Sequence, residues 1–111
     1  MKLVQYITLV IAALVAFSSP SFAGSGKSEI RTLHATSDGM IVVNLHNHDN
    51  MPACNVADNG FAFDGSTAGG KNRYALLLAA ATAKKLVGIT GTGLCYGHSG
   101  REEILYLSVE F

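Results

Sequence analysis

The residues best suited to chemistry fall in a few short stretches of the 111-residue chain. His46-Asn47-His48-Asp49 places three N/O donors within four residues, a set that binds zinc when further ligands complete the shell. His46 and His48 share a face only if a strand continues through both. His34 and His98 lie far away in sequence, so the stretch is read as a solvated loop with no metal. Gly65-Ser66-Thr67-Ala68-Gly69-Gly70-Lys71-Asn72 nearly spells the phosphate-binding loop G-x-x-x-x-G-K-[ST]. Asn72 stands where a hydroxyl must hold magnesium, and so short a chain has no room for a parallel βαβ scaffold. The stretch is therefore read as a flexible strand-to-helix loop. Gly91-Thr92-Gly93 with Gly97 has the wrong spacing for a dinucleotide fingerprint, and a cysteine follows it instead of a helix. His98 and Ser99 are adjacent on a loop, and Glu102-Glu103 opens a strand as a solvated charged pair. None of these forms a nucleophile–base or acid–base couple. The chain is read as a non-enzyme without a cofactor.

Composition narrows the class. Eight Lys and Arg balance eight Asp and Glu, and only 14% of residues are charged. A neutral chain lacks the electrostatic footprint of a nucleic-acid-binding protein. A hydrophobic content of 49% is wrong for a disordered chain, and the length excludes a TIM barrel or a two-domain enzyme.

Residues 1–23 have the organisation of a secretory signal peptide. Lys2 supplies the positive end, Leu9 to Phe17 an uncharged apolar run, Pro20 a break, and Ser21-Phe22-Ala23 small residues, Ser21 and Ala23, at the two positions read before a cut. The apolar segment is short for a membrane span, which needs about 20 residues. Cleavage after Ala23 leaves 88 residues with seven basic and eight acidic side chains, and no later run crosses a bilayer. Cys54 and Cys95 remain, and in the oxidising compartments reached by export they are expected to form a disulfide. It would close a loop of about 40 residues, worth about 4 kcal/mol by chain entropy.

The elements expected to position these residues form one domain over residues 29–111, after a flexible leader at 24–28. Strands are predicted at Glu29–Thr36, Met40–His46, Phe61–Asp64, Leu86–Thr90 and Glu103–Phe111, with Asp38-Gly39 as a two-residue hairpin turn. A helix is predicted at Lys71–Lys85, with Tyr74, Leu77, Leu78 and Ala81 as its inward stripe. Gly91–Gly100 is read as a Gly-rich loop. The fold class is mainly β with one helix. The order β-β-β-α-β-β matches the OB-fold, a five-stranded, partly open barrel.

The helix segment Tyr74-Ala-Leu-Leu-Leu-Ala-Ala-Ala, then Lys85-Leu-Val-Gly-Ile-Thr-Gly-Thr-Gly-Leu-Cys95, resembles a pattern in small exported bacterial proteins similar to the binding subunit of subtilase cytotoxin. Cys54 precedes the third strand, as the first cysteine does in that pattern. The resemblance covers Met40 to Phe111. It implies an OB barrel that assembles as a ring of five and binds glycans, but it carries no sugar-binding motif over residue by residue.

Two surfaces complete the reading. Leu76, Ala79, Ala80 and Ala83 form a second apolar helix face, expected to meet another copy of the chain. Tyr96, His98 and Arg101 give the Cys95 loop an aromatic body with polar tips, suited to a sugar or a peptide. The expected function is that of a secreted or periplasmic binding protein with a glycan or another exported protein as partner. The rival is an accessory subunit that binds only protein.

Overall fold

A computed structural model describes residues 23–111. The leader, apart from Ala23, lies outside the described residues. β1 (Ser25–Ser28), β2 (Ile30–Ala35), β3 (Met40–Leu45), β4 (Phe61–Asp64), α1 (Ala68–Ala83), β5 (Leu86–Cys95) and β6 (Glu102–Glu110) follow one another along the chain. The strands form one sheet in the order β1-β5-β6-β4-β3-β2.

β1 and β2 are separated by Glu29 alone, yet they occupy opposite edges of that sheet. Ser28 pairs with Val87 on β5, while Ile30 pairs with Leu45 on β3. The sheet therefore curls until its two edges meet in one broken strand. β4 and β6 run parallel, with Phe61 opposite Glu102, and the other neighbours are antiparallel. With β1 and β2 taken as one strand, this is the small, mainly β, barrel-like architecture with one helix that the element order predicts. The predicted flexible leader at 24–28 is the exception: Ser25–Ser28 form a paired strand, with Gly24 held just before it. Ser-Gly-Lys-Ser has little strand propensity, and its ladder to β5 supplies the order.

The β2–β3 turn is one residue longer than predicted. Thr36 and Met40 bond across Ser37-Asp38-Gly39, and Gly39 takes the left-handed φ of 89° that a three-residue hairpin loop requires. β5 runs through the predicted Gly-rich loop as far as Cys95, with two irregularities against β6. Thr90 pairs with Tyr106 but Gly91 with Ile104, so Leu105 is an extra residue on β6. Inward phase thus passes from Ile104, buried, to Leu107 and Val109, and Leu105 points out, 60% exposed. Between Gly91 and Cys95, β5 carries the excess, and its backbone bows around Glu102.

α1 begins at Ala68 because Thr67 caps it, its Oγ1 accepting from Gly70 N at 2.9 Å. A methyl group on Gly70 would lie 1.8 Å from the Asp64 carbonyl oxygen, so the near-phosphate-loop glycine is explained by close approach of helix to strand. The helix lies against β2, β5 and β6. Its buried side chains are Leu77 and Ala80, flanked by Tyr74, while Leu78 is 48% exposed. The inward stripe is thus turned from the predicted one: Ala80, placed on the outer face by sequence, joins the core beside Phe61, Phe63, Val43 and Leu45. No helix among the described residues is long and apolar enough to cross a membrane.

Candidate functional site

The most polar point in the interior is Glu102, the first residue of β6, whose side chain is 0% exposed. Three elements bring donors to it. Gly24 N, just before β1, donates to Oε2 at 2.8 Å, and Gly93 N, from the bowed part of β5, donates to the same oxygen at 2.9 Å. His48, also 0% exposed, sets Nε2 at 2.7 Å from Oε1. The other ring nitrogen, Nδ1, faces the Asn59 carbonyl at 2.9 Å. A carbonyl only accepts, so Nδ1 carries a hydrogen. One further proton lies between Nε2 and Oε1. The imidazole stacks on Phe61 with centroids 3.8 Å apart and planes 20° apart. Gly91 makes the space: a Cβ there would sit 2.0 Å from Glu102 Oε2. A buried carboxylate with every oxygen engaged is a stable arrangement, and its enclosure keeps the pair from reaching a substrate in solution.

Glu102 and His48 are the residues that sequence reasoning misplaced. Glu102 sits in a charged pair at a strand start, which reads as a solvated edge. His48 sits in a polar run, which reads as a loop. Their partners are as far as 78 positions away in sequence, and no local pattern announces them. The period of β3 points the wrong way, because His48 has the parity of His46, opposite to that of the buried Ile41, Val43 and Leu45. The structure separates those two: His46 is exposed and His48 buried. Among the described residues no group of three or more His, Cys, Asp or Glu is placed to hold a metal.

The predicted disulfide joins Cys54 to Cys95, with Cα atoms 6.1 Å apart. It ties the long 46–60 connection to the end of β5. Arg101 reinforces the same junction with a two-pronged contact to Asp58, Nε to Oδ1 at 3.0 Å and a terminal nitrogen to Oδ2 at 2.9 Å. This guanidinium holds the Asp58 carboxyl below its ordinary value. Of the predicted ligand loop, Arg101 is therefore a strut. Tyr96 and His98 sit on the β5–β6 turn, closed by Tyr96 N to the Arg101 carbonyl at 3.0 Å and Ser99 N to the Tyr96 carbonyl at 3.0 Å. His98 is exposed. Partial desolvation, then the carboxylates of Asp64, Asp38 and Glu103, push the Tyr96 phenol upward.

A different aromatic residue commands the surface. Tyr106, on β6 next to the bulge, is 62% exposed and forms the wall shared by two grooves. One groove, of about 250 Å³, is edged by Ser25, Lys27, Asn47, Asp49, Thr90 and Ser108. The other, of about 260 Å³, runs between α1 and β6 and contains Leu76, Leu105 and Leu107 with Asn72 and Arg73. Leu76 of the predicted oligomer face thus lines this groove, Ala79 and Ala83 are exposed, and Ala80 is internal. Strict alternation along β6 already turns Tyr106 outward but assigns Leu105 to the core, so the sequence gives no sign of the exposed apolar surface that the bulge creates beside Tyr106.

Comparison of the chain with protein-family models, curated proteins and solved structures finds no match. The resemblance to toxin binding subunits therefore rests on the helix–strand–glycine–cysteine pattern of the sequence alone.

Proposed function

We propose that this chain is exported and works by binding, with a glycan seated against Tyr106. The observation that carries the reading is the position of that ring: largely solvent-exposed, with an apolar groove on one side and hydroxyl, amide and charged groups on the other. A sugar ring offers an apolar face to stack and a rim of hydroxyls to hydrogen-bond, and a tyrosine beside polar neighbours meets both needs. The grooves are shallow and smaller than enclosed pockets for drug-sized ligands, as suits one end of an oligosaccharide. Export is supported by the sequence of residues 1–23 and by the disulfide.

A glycan array probed with the chain beginning at Gly24, and with its Tyr106→Ala variant, tests the reading. The expected result is binding to a limited set of sugars, weakened at least tenfold in the variant while its melting temperature stays within a few degrees. Binding that ignores Tyr106→Ala would contradict it. A second reading, an accessory subunit for another exported protein, is favoured by Leu105, 60% exposed beside Tyr106. Silence across the array together with a stably co-purifying exported protein would establish that role instead.

A further inference from the structure

We propose that cleavage of the Ala23–Gly24 bond completes the interior: the new α-amino group of Gly24 becomes a buried partner of Glu102. The inference rests on the export reading and goes beyond it.

Sequence and structure meet at this bond independently. The small-residue pattern Ser21-Phe22-Ala23 places the cut before Gly24. In the structure this bond runs from an exposed residue, Ala23, to a buried one, Gly24. Gly24 is held at both ends, its nitrogen by Glu102 Oε2 at 2.8 Å and its carbonyl by Gly91 N at 2.8 Å. The seat admits only glycine, since a Cβ would lie 2.2 Å from Glu102 Oε1 and 2.9 Å from His48 Nε2.

Hydrolysis adds water across the bond. Ala23 departs with the leader as a carboxylate, and the Gly24 nitrogen takes up protons to become an amine that is mostly ammonium at neutral pH. The hydrogen-bond donor already aimed at Glu102 then carries a full positive charge, and such bonds are about twice as strong as neutral ones. The direction formerly occupied by the bond to Ala23 leads to solvent, so the added hydrogens have water to meet. Among the described residues, His48, on the other oxygen, is the remaining ionisable group bonded to this carboxylate. Export processing thereby stabilises the mature fold, and the uncleaved chain holds the same seat with an uncharged amide.

The test compares the chain beginning at Gly24 with its Nα-acetyl form. Acetylation restores the carbonyl and methyl of Ala23, which is exposed and therefore accommodated, and keeps one N–H while removing the charge. Urea unfolding at pH 7 is expected to show an unfolding constant about tenfold higher after acetylation, and a change within about twofold when Glu102→Gln is also present. No effect of acetylation, or the same effect in both backgrounds, would overturn the proposal. Should Glu102→Gln fail to fold, amine acylation of the unaltered protein decides the matter. Gly24 is expected to react at least tenfold more slowly folded than in urea, while Lys27, 59% exposed, changes little. Equal protection of both amines, or of neither, would overturn it. Intact mass of the exported protein is expected to begin at Gly24. An exported protein beginning elsewhere would sink this proposal and leave the export reading standing, whereas cytoplasmic retention with the leader attached would sink both.

Discussion

Glu102→Leu is the most informative single substitution. Leucine has a similar volume and leaves no large cavity, so the change isolates the loss of an acceptor. Three donors lose their partner: Gly24 N, Gly93 N and His48 Nε2, all pointing at a side chain with 0% exposure. An unsatisfied buried donor costs about 1–3 kcal/mol, and removing one member of a buried pair costs about 3–5 kcal/mol. The two routes agree on a loss of about 4 kcal/mol, against total stabilities of about 5–15 kcal/mol for small domains. Equilibrium urea unfolding followed by circular dichroism reads this directly, with an unchanged slope expected. The melting temperature should fall by about 20 °C. His48→Phe provides the internal control. It keeps a ring against Phe61 and leaves both glycine donors with their acceptor, while Glu102 Oε1 and the Asn59 carbonyl lose a donor, so its cost should be substantial but smaller than that of Glu102→Leu. A loss below about 1 kcal/mol for Glu102→Leu, or a larger loss for His48→Phe than for Glu102→Leu, would refute the view that the carboxylate organises these elements.

Other perturbations test separate parts of the structure. Gly91→Ala drives a Cβ into the Glu102 carboxylate, 2.0 Å from Oε2 and 2.2 Å from Cδ; overpacking of this kind should cost about 3 kcal/mol in the same urea experiment. Replacing Cys54 and Cys95 together by serine opens a crosslink across a sequence separation of 41, and the denaturation midpoint should drop by the equivalent of about 4 kcal/mol. The Asp58 carboxyl is held below its usual 3.8 by Arg101, so the stabilisation from this pair is present above that value and disappears as the pH falls through the depressed one. Asp58→Asn should therefore cost about 0.5–1 kcal/mol at pH 7, with the difference from wild type vanishing in unfolding measured in strong acid.

Local pattern carried much of the fold. β3 and β4 were legible because Ile41, Val43, Leu45, Phe61 and Phe63 are apolar residues at strand spacing, and all are buried. The helix was legible from its Ala and Leu content, although its start lies three residues earlier, where Thr67 supplies a cap inside a glycine-rich stretch. The disulfide followed from the compartment implied by the leader. What was not legible depends on long-range pairing. Ser25–Ser28 becomes a strand through β5, more than 50 positions later in the chain. Leu105 joins Tyr106 at the surface through a bulge defined only relative to β5. Glu102 becomes an interior residue because Gly24, His48 and Gly93 converge on it, and a charged pair at a strand start contains no trace of that.

The binding reading has one most direct test. Amide resonances of the isotopically labelled chain beginning at Gly24 would be followed while a glycan chosen by the array is added. The largest shifts are expected around Tyr106 and its groove neighbours Ser25, Lys27, Asn47, Thr90 and Ser108. Shifts confined to the Tyr96–Arg101 turn, or a spectrum unchanged at saturating sugar, would contradict it.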